Sequence, residues 1–321
     1  MPLFNYKKWF FDVYTSRDEY FILFISRITV LGIHKIYLQA HGAEKADDGN
    51  YIRKLIFETK LDFLDECNNS IITRQGTINF NVHQISLNLN CGTFSVNLTY
   101  HIPDQKYCQL NPFIIKGRFC SGLSWKPLVL CGNVNGEVNL GSNNIFSFRD
   151  DKGYIDQVLS SFLPFSLPVK ELYWGRVQSD DLNLTFTIIN GTSETQNKAK
   201  VYCILHGKLT EFNTVNLAIH EKKTSNKISL CFPEKYTLIA KNNDSRLIME
   251  IENHREAVAN DFIGDTTSYG KRVITILKLL SGSPIGVKSV AKANIGIFNS
   301  MDMKSYHNLT LIDEYVCFDY T

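Results

Sequence analysis

The chain has 321 residues, 44% of them hydrophobic, and 34 Lys and Arg stand against 32 Asp and Glu for a net charge of +2. That length suits two domains, and the apolar fraction supports a sizeable core and excludes a mostly disordered chain. The charge balance argues against a dedicated nucleic-acid binder, which would carry a strongly basic face.

Near the N-terminus, Lys7 and Lys8 precede Trp9-Phe10-Phe11-Asp12. Asp12 interrupts what would be the apolar core of a signal peptide. The apolar run Phe21 to Ile25 is too short to span a bilayer. The eight cysteines, Cys67, Cys91, Cys108, Cys120, Cys131, Cys203, Cys231 and Cys317, contain no C-x-x-C pair. No zinc site is expected from that spacing. A cytoplasmic protein with reduced thiols and no transmembrane segment is the expectation, with peripheral membrane contact left open.

The dominant pattern has period two, the period of a strand. Phe94, Val96, Leu98, Tyr100 and Ile102 alternate with polar residues, as do Leu182, Leu184, Phe186 and Ile188. Val215, Leu217 and Ile219 repeat the pattern, and so do Leu247, Met249 and Ile251. The phase slips between Ile78-Phe80-Val82 and Ile85-Leu87-Leu89, which predicts a bulge or a hairpin near His83 and Gln84. Ile155, Val158, Leu159 and Phe162 fall at helical spacing, with Asp150 or Asp151 as cap and Pro164 as stop, and predict a short helix. The run Val273 to Leu280 is apolar but too short to assign to helix or strand. Lys222-Lys223 reads as a solvated loop. The polar stretch Asn190 to Lys200 is the best linker, and the domains are placed at 1–192 and 193–321. Many short strands separated by Gly, Asn and Asp predict an all-β sandwich or barrel.

Phosphate-binding loops, dinucleotide fingerprints, a G-x-S-x-G elbow and H-E-x-x-H are all missing, and the eight histidines are scattered. Nucleotide hydrolysis, nicotinamide chemistry and standard serine hydrolysis are therefore disfavoured.

The stretch Gly153 to Ile189, together with Trp9-Phe10-Phe11-Asp12, resembles the AttH-like and carotenoid 1,2-hydratase-like family. The shared pieces are Trp-aromatic-aromatic-Asp at Trp9 to Asp12, Gly-Tyr-x-Asp at Gly153, Tyr154 and Asp156, and Trp-Gly-Arg at Trp174, Gly175 and Arg176. Trp125-Lys126-Pro127-Leu128 stands where the family carries a tryptophan before this block. The resemblance implies two lipocalin-like antiparallel β-barrels packed together, a hydrophobic cavity, and cofactor-free chemistry of the kind carried out by carotenoid hydratases, tocopherol cyclases and Diels–Alderases. Two departures separate this chain from the hydratases. Gln157 and Leu159 occupy the positions of an active-site His and Trp, and the strand after Trp-Gly-Arg lacks their Tyr-x-Asp.

Among the shared residues, Asp156 is the candidate acid, because a carboxyl facing an apolar cavity is easily kept protonated. Arg176 is a fork for a carbonyl or enolate oxygen, or half of a structural ion pair with Asp12 or Asp156. Tyr154 is a candidate phenol donor, and these three form the expected catalytic set. Trp174, Tyr173, Trp9, Trp125, Gln157 and Asp12 are candidates for lining the ligand site, each with plain core or turn packing as the alternative. The implied function is a cofactor-free, metal-free enzyme acting on a hydrophobic terpenoid or polyene. The alternatives are a lipid or terpenoid carrier, or an interaction module whose lumen is filled by its own aromatic residues.

Overall fold

The computed structural model describes residues 4–30, 32–67, 69–103, 110–116, 122–161, 169–191, 198–261, 283–299 and 302–319. Every regular element among these residues is a β-strand, as the period-two patterns predict. The chain divides into two compact units, Met1–Ala46 with Ile52–Ser166, and Asp47–Tyr51 with Leu167–Thr321.

The first sheet contains β1 (Phe4–Tyr14), β2 (Glu19–Val30), β3 (Ile33–Lys45), β4 (Tyr51–Leu61), β5 (Phe63–Cys67), β6 (Ser70–Thr73), β7 (Gly76–Phe80) and β8 (Gln84–Cys91). It is completed by β9 (Phe94–His101), β10 (Phe113–Lys116), β11 (Gly122–Leu140) and β12 (Asn143–Ser161). The second sheet contains β13 (Val169–Gln178), β14 (Leu182–Gly191), β15 (Lys198–Leu205), β16 (Lys208–Phe212) and β17 (Thr214–Thr224). Its remaining strands are β18 (Cys231–Lys241), β19 (Ser245–Asp261), β20 (Ser283–Asn299) and β21 (Met303–Asp319).

Both sheets are antiparallel meanders with one plan. In the first, β1 pairs with β12, and the path runs β4-β3-β2-β1-β12-β11-β9-β8-β7-β6-β5, with β10 on β11. In the second, β13 pairs with β21, and the path runs β16-β15-β14-β13-β21-β20-β19-β18-β17. First and last strands are bonded in each case, so the open seam falls between interior strands of the sequence. Each sheet curls strongly, so that β3 approaches β5 and β15 approaches β17 across that seam. This is the all-β, two-sheet, lipocalin-like architecture expected from the sequence.

Alternation sets the cores. In β9, Phe94, Val96, Leu98 and Tyr100 are buried and the residues between them are not. Leu247, Met249 and Ile251 do the same in β19. The phase slip near His83 is a hairpin: β7 ends at Phe80, β8 begins at Gln84, and the Asn81 N–H donates to the Gln84 carbonyl over 2.9 Å.

Three expectations give way. The helix predicted from Ile155 onward is part of β12 as far as Ser161, and Phe162 and Pro164 lie outside the described residues. Tyr154, Ile155 and Asp156 are all buried, so the apolar spacing reflects two covered faces, and Leu159 is exposed. Asp150, expected as a helix cap, adopts φ 53° opposite Asn135, whose side chain accepts its N–H and donates to its carboxylate. A short side chain tolerates that left-handed backbone and lets the strand continue through the irregularity. The stretch near Asn190 does not divide the sheets, because β14 and β15 pair on either side of it from Leu182↔Leu205 to Ile189↔Lys198. The change of sheet lies between Ser161 and Val169, so β13 and β14 belong to the second unit. Lys222-Lys223 lies in β17 and not in a loop, and Lys223 donates to the His254 carbonyl and pairs with Glu234. The run Val273 to Leu280 lies outside the described residues.

The glycines of both shared motifs are explained by packing. A Cβ on Gly153 would lie 2.3 Å from Val134 Cγ2 and 2.6 Å from Tyr100 Cε1. A Cβ on Gly175 would lie 2.6 Å from the Phe186 ring and 3.3 Å from the Asp313 Cβ. Gly153→Ala is expected to lower the unfolding free energy by about 1–3 kcal/mol through overpacking, read as a lower denaturant midpoint at unchanged slope.

Candidate functional site

In the first unit, β1 and β12 place Phe10 opposite Asp156 and Asp12 opposite Tyr154. Paired residues share a face, and here it is the face away from the core formed by Trp9, Phe11, Val13 and Ile155. Asp156, Tyr154, Asp12, Phe10 and Phe24 on this face are nevertheless buried. Two donors converge on one oxygen of the Asp156 carboxylate. Trp125 Nε1 donates to Oδ2 over 2.9 Å, and the Tyr154 hydroxyl donates to the same Oδ2 over 3.0 Å. An indole N–H only donates, so Oδ2 acts as acceptor. Apolar walls adjoin this cluster, with the Phe10 ring 5.3 Å from Phe24 and 6.1 Å from Tyr154, centroid to centroid.

Three of the expected residues, Asp156, Tyr154 and Trp125, are thus hydrogen-bonded together, and Asp12 lies one cross-strand pair away. Trp9 and Gln157 face each other on the opposite, core side. Trp9 packs on Phe80 with centroids 6.4 Å apart, and the Lys7 ammonium lies 4.6 Å from the Trp9 ring. Strand alternation therefore separates Gln157 from its neighbour Asp156.

In the second unit, the same alternation splits the expected residues. Trp174 and Arg176 lie on the face away from the core, and Tyr173 lies within it. Arg176 Nη1 donates to Gln178, and Thr185 Oγ1 donates to the Gly175 carbonyl over 3.1 Å. Across β13, β21 and β20, Trp174, Glu314 and Lys288 form a row. The buried Lys288 ammonium is 2.5 Å from Glu314 and 5.6 Å from the Trp174 ring.

The interior of the second sheet holds a polar cluster that the sequence reading missed. Asp313 accepts from Tyr236 over 2.9 Å and from Ser289, and its Oδ2 lies 2.7 Å from His254 Nε2. His254 Nδ1 lies 2.5 Å from the Glu234 carbonyl, which only accepts, so Nδ1 carries a proton. Tyr236, His254, Ser289 and Asp313 come from β18, β19, β20 and β21, and all four are buried. A second carboxylate, Glu171, accepts from Tyr173 over 3.2 Å, Asn190 over 2.8 Å and Tyr315 over 3.0 Å. A cavity with room for about one water molecule is lined by Tyr173, Phe232, Pro233, Tyr236, Ser289, Asp313, Glu314 and Tyr315. The signal in the sequence was an acid pair, Asp313-Glu314, inside the apolar run Leu311 to Val316.

Burial pushes the Tyr236 phenol well above its ordinary range, and the Asp313 charge adds to the effect. Burial and the Glu171 charge do the same to Tyr173 and Tyr315. Burial alone would lower the His254 value, but the Asp313 charge, its hydrogen bond and the Glu234 carbonyl together raise it. The pair is therefore an imidazolium held against a carboxylate.

No family model matches the chain, and no curated protein matches it in sequence. Solved structures do match. CghA aligns with a TM-score of 0.63 at 11% identity, covering 99% of this chain and 89% of that one. CghA with Sch210972 aligns with the same TM-score of 0.63, at 10% identity. A protein of Nitrosomonas europaea assigned as AttH aligns with a TM-score of 0.60 at 10% identity, covering 99% of this chain and 93% of that one. Kievitone hydratase from Nectria haematococca aligns with a TM-score of 0.54 at 9% identity, covering 97% and 88%. The fold is that of these proteins, in agreement with the resemblance carried by Trp9 to Asp12, Gly153 to Asp156 and Trp174 to Arg176.

A histidine held charged in the fold stabilises it below the ordinary value of 6.5 and loses that contribution as pH rises through the raised folded value. His254→Gln keeps a donor but removes the titration. It is expected to cost about 1.5–3 kcal/mol at low pH. In denaturant unfolding, the gap to the parent protein should shrink as pH rises from the ordinary value of 6.5 through the raised folded value. A constant gap across that range would mean that the native state holds no extra proton there.

Proposed function

We propose that the chain is a cofactor-independent enzyme acting on a hydrophobic small molecule of terpenoid or polyene type, by cyclisation, isomerisation or hydration. The observation that carries this reading is the buried Trp125–Asp156–Tyr154 cluster beside Phe10 and Phe24. A carboxyl group fixed by two neutral donors among aromatic walls is preorganised to exchange a proton with an apolar guest or to steady positive charge developing on it. Tyr154 would keep the carboxylate aimed, and Trp125 would offer a π face as well as its N–H. In the second unit, Arg176 and Trp174 are the corresponding candidates for an oxygen and a polyene. The fold likeness to a hydratase by name, and to CghA, solved with the small molecule Sch210972, supports a small-molecule substrate.

A reading as an interaction module is favoured by a different observation. The interiors of both sheets are occupied by their own side chains, among them Phe11, Phe21, Phe94, Phe146, Phe186 and Phe212.

Native mass spectrometry of the protein from its own host should recover an apolar small molecule. With that molecule or its precursor as substrate, Asp156→Asn is expected to reduce turnover by about 10²–10⁴-fold with the fold intact by circular dichroism. Unchanged turnover would remove Asp156 from the mechanism. Ligand binding with no turnover by either protein would establish the carrier.

A further inference from the structure

Trp9 and Gln157, which alternation turns away from Asp156, stand near one end of the first sheet, and the register gives their neighbours on the same side. One row runs Ile25, Trp9, Gln157 and Lys126 across β2, β1, β12 and β11. The next row toward that end runs Arg27, Lys7, Leu159 and Ser124. Lys7 and Arg27 are therefore directly opposed cations, an arrangement that costs energy unless a counter-charge joins them. Glu66 supplies one. It comes from β5, the edge strand at the far end of the sheet path, and it pairs with Lys7 over 2.6 Å and with Arg27.

One carboxylate cannot neutralise two cations. Lys126 adds a third, and neither its ammonium nor the Gln157 amide has a polar partner among the described residues. The side chains of Lys7, Arg27 and Glu66 keep between 18% and 21% of their surface exposed, so solvent reaches them while screening their charge only in part. The Lys7 ammonium is steadied over the Trp9 ring, and Leu159, opposite Lys7, leaves an apolar side chain exposed beside it. An excess of positive charge, a planar guanidinium fork, a neutral amide and an adjoining apolar side chain together suit an organic anion. The fork matches a carboxylate in particular.

We propose that this end of the first sheet binds the carboxylate of a small organic acid, and that Glu66 is a built-in competitor for the same donors. The site lies on the other side of the sheet from the Asp156 cluster and is independent of the activity assigned to it. The incoming carboxylate takes the Arg27 fork, Lys7 and Lys126 supply charge, Gln157 supplies a neutral donor, and the apolar part of the acid lies against Leu159. Glu66 orders the two opposed cations and gives up Arg27 to the ligand. Its strand has only five residues, and its pairing with β6 is already irregular between Phe63 and Asp65, so a shift there disturbs little of the ladder. Removing the Glu66 charge therefore strengthens binding. A glutamate that only clasped the curled sheet would give the opposite result.

The probe is sodium octanoate, titrated into the full chain against sodium chloride at matched ionic strength, with octanol as the uncharged control. The Trp9 indole N–H and the Arg27 Nε–H report by NMR. Saturable shifts of both signals are expected with octanoate and with neither control. Arg27→Gln should weaken binding about tenfold, the equivalent of one charge-assisted hydrogen bond. Glu66→Gln should strengthen it about tenfold, because those donors are no longer contested by a charge. Each variant is compared with the parent by circular dichroism, and Lys7→Gln is the second cation variant, for the case in which Arg27→Gln fails to fold. Equal shifts with octanol, full affinity in a folded cation variant, or unchanged or weaker binding by folded Glu66→Gln would each overturn the proposal.

Discussion

A strand covered on both faces has no side to give to water, and this constraint organises the molecule. Gly153 to Asp156, Tyr173 to Val177 and Leu182 to Ile189 are buried throughout. Polar side chains in such stretches must find partners within the protein, because an unpaired buried group costs several kcal/mol, on the order of a lost hydrogen bond or more. The two shared motifs that contain glycine lie in two of these stretches. Their glycines let neighbouring rings close over the strand, Phe186 over Gly175 and Tyr100 beside Gly153. Their polar residues then determine where hydrogen bonds must form.

The protein meets that demand in the same way three times. Asp156 is held by a phenol and an indole, Glu171 by two phenols and an amide, and Asp313 by a phenol, a hydroxyl and an imidazole. Phenols suit this role because their rings extend the apolar core while their hydroxyls face inward to the carboxylate. Asp313 has in His254 a partner that titrates near neutral pH.

Much of the architecture was legible in the sequence because a sheet with one covered face writes its burial directly as alternation, as in Phe94 to Tyr100. Legibility failed where both faces are covered. Ile155, Val158 and Leu159 then imitated a helical stripe, although β-branched Ile155 and Val158 suit a strand. The polar stretch after Asn190 imitated a linker because a hairpin connection and a domain linker share the same composition. At the site, Asp156, Tyr154 and Trp125 could be picked out through the family resemblance, two of them two residues apart on one strand. The Asp313 cluster could not, because its four members come from four strands spanning Tyr236 to Asp313 and leave no local spacing to detect. Trp174 and Arg176 come from the same resemblance, and Tyr173 was added as their neighbour in sequence. Alternation places Tyr173 on the opposite face of β13 from Arg176.

The two aspartates differ in what they can do with a proton, and this separates their roles. Two donors to Asp156 are an indole and a phenol, neither of which changes charge near neutral pH. Neither of these two donors can take up or supply a proton at that carboxyl near neutral pH. At Asp313 the proton is held between the carboxylate and His254, both enclosed, with Nδ1 tied to a backbone carbonyl. Moving it would break a buried ion pair, which costs about 3–5 kcal/mol when one partner is lost. Such a pair resists turnover but responds to a charge placed beside it.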